Sequence, residues 1–396
     1  MAEELKNKET IKTPKVAEST SDIMKYIINH NLQTTFESIA KIKFSDVKGV
    51  AGAMDIGYGN TKYLCSIVND ILKFGSFPSL APLATSNKIS GNMFMSRNTH
   101  IVNVDETFYE VGVDAEDLVS GSNTDAAKVL DESYIYSAQY KALFLGALAY
   151  MDVPEFDVLV MGLPVNYIHN ADSLAELFTG TFELPNKKTC KINKIIVIPQ
   201  PLGGFYQVAI DHELYEDMLD EFNLVIDPGY LTFDFLTTKG LTPIDSRSDA
   251  IPGGMSKILN ALAKSVSEEL GKNYDDLNAL DKGIRILRKF KTDDGEQVER
   301  RAIKVGKKII ELEPHIRKMI PVIENSIISM KNKVKTYDDI ENIILVGGAE
   351  NIFYRRIEKH LVDREIFKAE NALFSNVIGF FYVAILELIA EADRKK

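Results

Sequence analysis

Apolar positions along the chain fall into short strand-like runs broken by glycine turns and longer stretches with a helical period. Residues 47–56 (VKGVAGAMDI) run into a glycine turn, and residues 61–68 (TKYLCSIV) resume with aromatic and β-branched side chains, which predicts a β-hairpin bent around Gly57 and Gly59. Asn69-Asp70 predicts the next turn. Residues 134–151 (YIYSAQYKALFLGALAYM) predict a helix, followed by a Val/Leu-rich strand at 157–162 and a Leu-Pro break. A strand at 194–198 ends at Pro199-Gln200-Pro201, and the next helix is expected to begin within residues 204–210. Residues 222–226 and 231–237 predict a second strand-turn-strand unit around Asp227-Pro228-Gly229-Tyr230. Residues 255–335 read as mainly helical, interrupted by an Asp-Asp-Gly turn at 293–295; a last strand at 342–346 and a long helix at 376–390 follow. Ahead of the first strand, residues 1–15 are polar and residues 21–42 show loosely helical spacing.

At 396 residues the chain is too long for one ordinary core and suits two lobes with a cleft between them. The two glycine-turn hairpins lie about 170 residues apart, which suggests an internal duplication with one hairpin per lobe. A hydrophobic fraction of 45% and a charged fraction of 26% exclude disorder, collagen-like repeats and a disulfide scaffold, and name no function. The formal charge of −11 disfavours broad contact with phosphate backbones, so no bulk nucleic-acid binding is expected. Cys65 and Cys190 form no CxxC or zinc pattern and read as reduced, buried thiols, which with the absence of a secretory h-region points to a cytoplasmic address. The apolar stretch 378–390 contains Glu387 and is shorter than the ~20 residues a membrane helix needs, so it reads as a buried helix. Ten basic residues against four acidic ones between positions 282 and 308 fit a solvated helical face, a filament contact or a flank of a nucleotide base.

Three turns carry candidate chemistry. In Asp55-Ile56-Gly57-Tyr58-Gly59-Asn60-Thr61-Lys62, backbone amides of a tight turn can converge on phosphate oxygens, Lys62 supplies a mobile positive charge, and Asp55 could hold magnesium through its water shell. Asp227-Pro228-Gly229-Tyr230 repeats the carboxylate at a strand end, with Pro228 removing one possible donor. In Ile343 to Ala349, a buried strand ends at Gly347-Gly348-Ala349, where a flat base or ribose can lie against bare backbone; Gly253-Gly254 offers a similar floor. Each motif alone describes an ordinary turn, and it is their order that argues for one nucleotide cleft. The six histidines have no paired spacing and no GxSxG is present, so neither a histidine metal site nor serine hydrolase chemistry is expected.

DIGYGNTK, PQPLGGF, DPGYLTFD and VGGA resemble the phosphate, connector and adenosine motifs of the actin superfamily, which includes actins, sugar kinases and heat-shock chaperone ATPases. NALFSNVIGFFYVA (371–384), LPVNY and the Pro-Gln-Pro strand end are similar to those of the plasmid-segregation actins called ParM or StbA. The resemblance runs from about residue 47 to the C-terminus. It implies an α/β actin-like fold of two lobes, each a mixed sheet with flanking helices around an ATP cleft. Residues 47–220 with 372–396 would form domain I and residues 221–371 domain II, with residues 1–46 an extension of unassigned role. It further implies that Asp55 and Asp227 position Mg2+, that Lys62 contacts the β- and γ-phosphates, and that Gly57, Tyr58, Gly59, Asn60, Thr61, Gly229 and Tyr230 form the cradle. Gly253, Gly254, Gly347, Gly348 and Ala349 would bound the nucleoside end. Gln200 falls where relatives carry a Gln or Glu that orients the attacking water, and a neutral amide suits that task. Tyr58 stands where relatives often have a smaller residue.

The function this implies is an ATP-hydrolysing (or GTP-hydrolysing), filament-forming protein that assembles head to tail and moves plasmid DNA through a DNA-binding adaptor bound to centromere-like DNA, with no membrane partner. The alternatives are a sugar-type small-molecule kinase on the same scaffold, which would need a general base for a substrate hydroxyl, and a cytoskeletal or regulatory ATPase outside segregation.

Overall fold

The computed structural model describes residues 47–67, 71–84, 97–119, 132–291 and 297–395. The leader, the Asn69-Asp70 turn and the turn at 293–295 lie outside the described residues.

Two sheets dominate. The first has the order β10-β7-β1-β2-β3, built from β1 (Ala51–Ile56), β2 (Asn60–Ile67), β3 (Ile71–Pro78), β7 (Val158–Leu163) and β10 (Ile195–Pro199). Strand β1 runs antiparallel to β2 and parallel to β7, which is itself parallel to β10. All six residues of β1 and of β7 are buried, as expected of central strands covered on both faces. The second sheet repeats the scheme with β11 (Phe222–Pro228), β12 (Thr232–Lys239), β13 (Thr242–Pro243), β14 (Asp249–Pro252), β19 (Asn342–Leu345) and β20 (Ile366–Lys368). Here β11 is antiparallel to β12 and parallel to β19, which is parallel to β20. Matching order and sense strand for strand support the internal duplication suggested by the two hairpins.

Smaller sheets decorate the first lobe: the hairpin of β4 (Thr99–Val104) and β5 (Thr107–Gly112), and a three-stranded sheet of β6 (Glu155–Phe156), β8 (Gly180–Leu184) and β9 (Lys188–Ile192). In the second lobe, residues 255–335 are less helical than the pattern suggests. They hold two hairpins, β15 (Arg288–Lys291) with β16 (Gln297–Arg300) and β17 (Ala302–Val305) with β18 (Lys308–Glu311). The basic run therefore continues from a helix end onto strands and is not one helical face. Ile303 and Ile310 pair inward while Lys304 and Ile309 pair outward, a period of two that the dense lysines and arginines obscure in the sequence.

The helices differ from expectation at their ends. The helix Ala138–Met151 starts after a separate turn, with Ser137 accepting from the Tyr140 amide at its N-terminus. The helix Gln200–Asp211 begins at Gln200, ahead of the expected start, because Pro201 suits a first turn whose amides need no partner. The last helix spans Ser375–Arg394, longer than predicted, and is the one described helix long and apolar enough to cross a membrane. Its burial assigns it instead to the core: Val377, Phe380, Phe381, Ala384 and Ile385 pack on Ala51, Ala53, Val158 and Val160 of the first sheet. The opposite face of that sheet carries Met54, Cys65, Leu159 and Met161 against the 138–151 helix.

Between the sheets stands the helix Gln200–Asp211. On one side a Cβ at Gly379 would overlap the Gly203 carbonyl oxygen, so this helix and the 375–394 helix touch backbone to backbone. On the other side Leu202, Phe205 and Val208 pack against Val225, Leu236 and Ile344 of the second sheet and against Val346 just beyond β19. One helix thus fixes the distance between the lobes and carries Gln200 at its first turn.

Candidate functional site

The two glycine turns face each other across the cleft between the sheets. In β1/β2 the register pairs Asp55 with Lys62, and in β11/β12 it pairs Asp227 with Asp234. The Gly57 amide donates to the Asn60 carbonyl at 3.1 Å, and the Gly229 amide to the Thr232 carbonyl at 2.9 Å. A Cβ on Gly59 would lie 3.0 Å from Cβ of Tyr230, so the tips of the turns meet. The cavity they bound also takes in Gln200, Gly347, Gly348, Ala349 and Asn376.

Asp55 is 2% exposed and accepts two charge-assisted or amide hydrogen bonds, from Lys62 Nζ at 2.7 Å and from Gln200 Nε2 at 2.8 Å. A carboxylate only accepts, so the amide end of Gln200 must face Asp55 and its carbonyl oxygen is the end left for a water. Asp227 is 6% exposed and accepts from Asn376 Nδ2 at 2.7 Å. Burial, reinforced by the negative charge of Asp55, pushes its carboxyl up to about 6, while the Asn376 hydrogen bond and Lys62 pull the other way. Asp234 lies deeper in the balance: burial first, then the charge of Asp227, raise it to about 8, and its Oδ1 has no hydrogen-bond partner. Three buried carboxylates thus share this part of the cleft with Lys62, a surplus of negative charge. Among the described residues no three of them group closely enough to enclose a metal ion, so what they fit is a Mg2+ that keeps most of its water shell and is placed by one or two carboxylates.

Gly347 adopts φ of 86°, and a Cβ there would overlap Asp227 Oδ1. Only glycine can occupy a left-handed position pressed against a buried carboxylate. The Ala349 amide donates to the Pro228 carbonyl at 3.1 Å, which locks this turn to the second hairpin. Opposite it, the helix Leu277–Arg285 presents Asn278, Asp281 and Arg285. Both Asp281 oxygens accept from Arg285 Nε at 2.8 Å, and Arg285 Nη1 donates to the Gly348 carbonyl at 2.9 Å.

Several expected cradle residues are placed differently. Thr61 is fully buried and shares a 3.0 Å hydrogen bond with Ser79, so it ties β2 to the strand beyond and does not line the cavity. The Tyr58 ring stacks on Tyr134 with centroids 5.1 Å apart, at the edge of the cavity that Tyr58 helps to line. Gly57 and Gly229 commit their amides to their own turns, so what they give the cleft is the absence of a side chain. Gly253 and Gly254 are buttresses: a Cβ on Gly254 would lie 2.7 Å from the carbonyls of Gly229, Tyr230 and Thr232, behind the loop. The helix Met255–Leu270 gives its first amides to that loop, Met255 to the Gly229 carbonyl and Ser256 to the Tyr230 carbonyl. Asp234 and Asn376 escaped the motif reading; a carboxylate opposite Asp227 is visible once the second hairpin is aligned on the first, with Asp234 at the place of Lys62.

Residues 53–203 match the family described as actin like proteins N terminal domain. A search of curated protein sequences finds no match. Among solved structures, the actin-like protein Alp7A superposes with a TM-score of 0.64 at 18% identity, covering 87% of this chain and 98% of that one. The archaeal actin homologue Ta0583 in complex with ADP gives 0.62 at 18% identity, covering 85% and 99%. A 15-stranded ParM filament from Clostridium botulinum gives 0.59 at 19% identity, covering 85% and 99%. The chain has an actin-like fold, as its motifs led one to expect.

Proposed function

We propose that this actin-fold chain is a Mg2+-dependent ATPase that forms filaments. The observation that carries the reading is the convergence of two duplicated Asp-x-Gly hairpins on one cleft, with Gln200 bound to the carboxylate of the first. Backbone at the turn tips and Lys62 would cradle the phosphates. Asp55 and Asp227, with Asp234 behind them, would hold Mg2+ and its waters, whose charge would offset that of the transferring phosphoryl group. Gln200, oriented by Asp55 and by its place at the start of the inter-lobe helix, would hold the attacking water with its carbonyl oxygen. The bare backbone at Gly347-Gly348 and the Asp281–Arg285 pair would bound the nucleoside.

The solved relatives with this fold include an ADP complex and a ParM filament, which supports nucleotide-driven head-to-tail assembly as the output. Within that reading, segregation of plasmid DNA through a basic adaptor is the finer role suggested by the ParM-like closing segment, in the cytoplasm. The test is ATP turnover and negative-stain microscopy of the purified chain with Mg-ATP. Gln200→Ala should lower turnover roughly a hundredfold, in the range of a lost positioning group, with nucleotide affinity little changed. Equal turnover in the variant, or nucleotide binding without any polymer, refutes the corresponding half of the proposal.

A further inference from the structure

The LPVNY segment, residues 163–167, lines no part of the cavity, yet it reaches across to the sheet that carries Asp227 and Asp234. It follows β7 at the carboxyl end of the first sheet, where β1 and β10, both parallel to β7, finish beside Asp55 and Gln200. Pro164, at φ of −52° and ψ of 148°, turns the chain out of the strand, and Val165 opens a short helical turn. From that turn Asn166 bridges to β14 of the second sheet. Its Nδ2 donates to the Ala250 carbonyl at 3.0 Å, and its Oδ1 accepts from the Ala250 amide at 3.2 Å, an N–H shared with Asp249 Oδ1 at 2.8 Å. An edge strand offers backbone groups that its own sheet leaves unpaired, and here one planar side chain answers both groups of one residue.

Ala250 ends a row that starts in the cleft. The registers set Asp227 opposite Asp234 on β12, and Asp234 opposite Ala250 on β14, so the three side chains share one face of the second sheet. The Val165 amide faces the Asp234 carboxyl and favours its charged form, while Asp234 Oδ1 still has no hydrogen-bond partner. At the other end of the row, Asp227 accepts from Asn376 Nδ2 on the last helix, which packs on the first sheet. Each second-sheet carboxylate is therefore met by a donor from the first sheet's side, and the spacing of the sheets sets where both carboxyls stand.

We propose that Asn166, together with the Val165 amide, is a positioning residue of the nucleotide site: it pins the row of Asp227, Asp234 and Ala250 and so fixes the second sheet's carboxylates relative to Asp55. Asn166 does not line the cavity, and it acts through Asp234. The proposal deepens the Mg2+-dependent ATPase reading and rests on it. Because Asn166 is exposed, truncating it leaves the packed cores intact. Proline fits the first position of a helical turn, and the φ and ψ of Pro164 suit a proline after it, so Val165→Pro removes the N–H with little change of backbone.

The test uses the full chain and a fluorescent ATP analogue, with affinity measured in Mg2+ and again in EDTA; the ratio of the two is the Mg2+ gain. Asn166→Ala should cut the gain by roughly fivefold, the range of one or two lost hydrogen bonds, with affinity in EDTA within about twofold of wild type. Asn166→Asp keeps the acceptor, loses the donor and sets a carboxylate against the Ala250 carbonyl, so it should cut the gain at least as far. Val165→Pro should lose more of the gain than Val165→Ala, which keeps the N–H and shortens the side chain. In an Asp234→Asn background, Asn166→Ala should change the remaining gain by less than about twofold, because both residues act on one route. A wild-type gain in Asn166→Ala and Val165→Pro overturns the proposal and leaves the ATPase reading standing. An equal loss with and without Mg2+ also overturns it, since Asn166 would then be a general support of the fold. So does an undiminished loss in the Asp234→Asn background. Wild-type protein that binds the analogue with no Mg2+ gain refutes the Mg2+ site, and the proposal falls with it.

Discussion

Replacing Asp227 by Asn should stabilise the nucleotide-free protein while destroying its use of nucleotide. The Asp227 carboxyl is raised from an ordinary 3.8 to about 6, with burial the largest cause. A group whose pKa rises on folding favours the folded state at low pH and loses that contribution as pH climbs. Between about pH 4 and pH 6 the folded chain binds a proton at Asp227 that the unfolded chain has released, so the contribution of this group to stability falls across the window and is constant above it. Two pKa units at about 1.4 kcal/mol each amount to about 3 kcal/mol at pH 7. An amide is nearly isosteric, removes the charge, and can turn its oxygen to Asn376 Nδ2, which now donates to Asp227 Oδ2 at 2.7 Å. Denaturant unfolding of wild type and Asp227→Asn, both without nucleotide, should therefore show the variant more stable by about 3 kcal/mol at pH 7 and no different near pH 4. Added Mg-ATP should raise wild-type stability and leave the variant unmoved. A variant less stable at pH 7, or one whose gain persists unchanged at pH 4, would refute the assignment of the cost to a buried charge.

Lys62→Ala should leave Asp55 with Gln200 as its side-chain partner among the described residues and remove the lysine that faces the buried carboxylates; calorimetric titration should show ATP affinity lower by at least roughly tenfold, while wild-type affinity would argue that phosphate lies elsewhere. Gly379→Ala puts a methyl group into the Gly203 carbonyl and should cost about 3 kcal/mol despite the better helix propensity of alanine, read as a lowered melting temperature; an unchanged or raised value would mean the two helices are not in backbone contact. Both thiols are pushed up to about 12 by burial, so the native chain should not react with a thiol reagent at pH 8 and should expose two reactive thiols in denaturant. Rapid labelling of either cysteine in the native state would contradict the packing of Cys65 and Cys190 in the first core.

Much of the cleft was legible because its chemistry sits on turns, where glycine and aspartate have positional meaning. Asp55, Lys62, Asp227 and Gly347 were placed in the cleft that way, while Gln200, at the start of a helix, was reached only through the resemblance. Asn376 was quoted only as part of a similar segment. Its role needs the 375–394 helix laid against the second hairpin, a contact between residues 149 apart in sequence. Gly253 and Gly254 misled because an absent side chain serves equally to admit a ligand or to let neighbours pack close: a Cβ on Gly254 would meet loop carbonyls at 2.7 Å, and one on Gly253 would overlap the Ser326 hydroxyl. The hairpins at 288–311 were hidden because short amphipathic strands rich in Lys and Arg give a weak period-two signal beside a strongly amphipathic helix.

The duplication explains how one cleft obtains two different charge states from one backbone plan. Each half supplies an aspartate at the end of a central strand and a residue opposite it on the antiparallel neighbour, in the same register. In the first half that residue is Lys62, whose Nζ donates to Asp55 at 2.7 Å and holds it in place. In the second half it is Asp234, and the pair repels; with no ligand the tension is met by protonation, as raised values of about 6 and about 8 indicate. A cation bound with a nucleotide would let Asp234 ionise beside the charged Asp227, so binding should release a proton near neutral pH. The first half would then serve as a preorganised clamp, fixed through Gln200 to the inter-lobe helix, and the second half would be the part whose charge depends on occupancy. Because the Gln200–Asp211 helix packs on the second sheet and abuts the last helix through Gly203, a change in the second hairpin has a rigid element through which to reach the first.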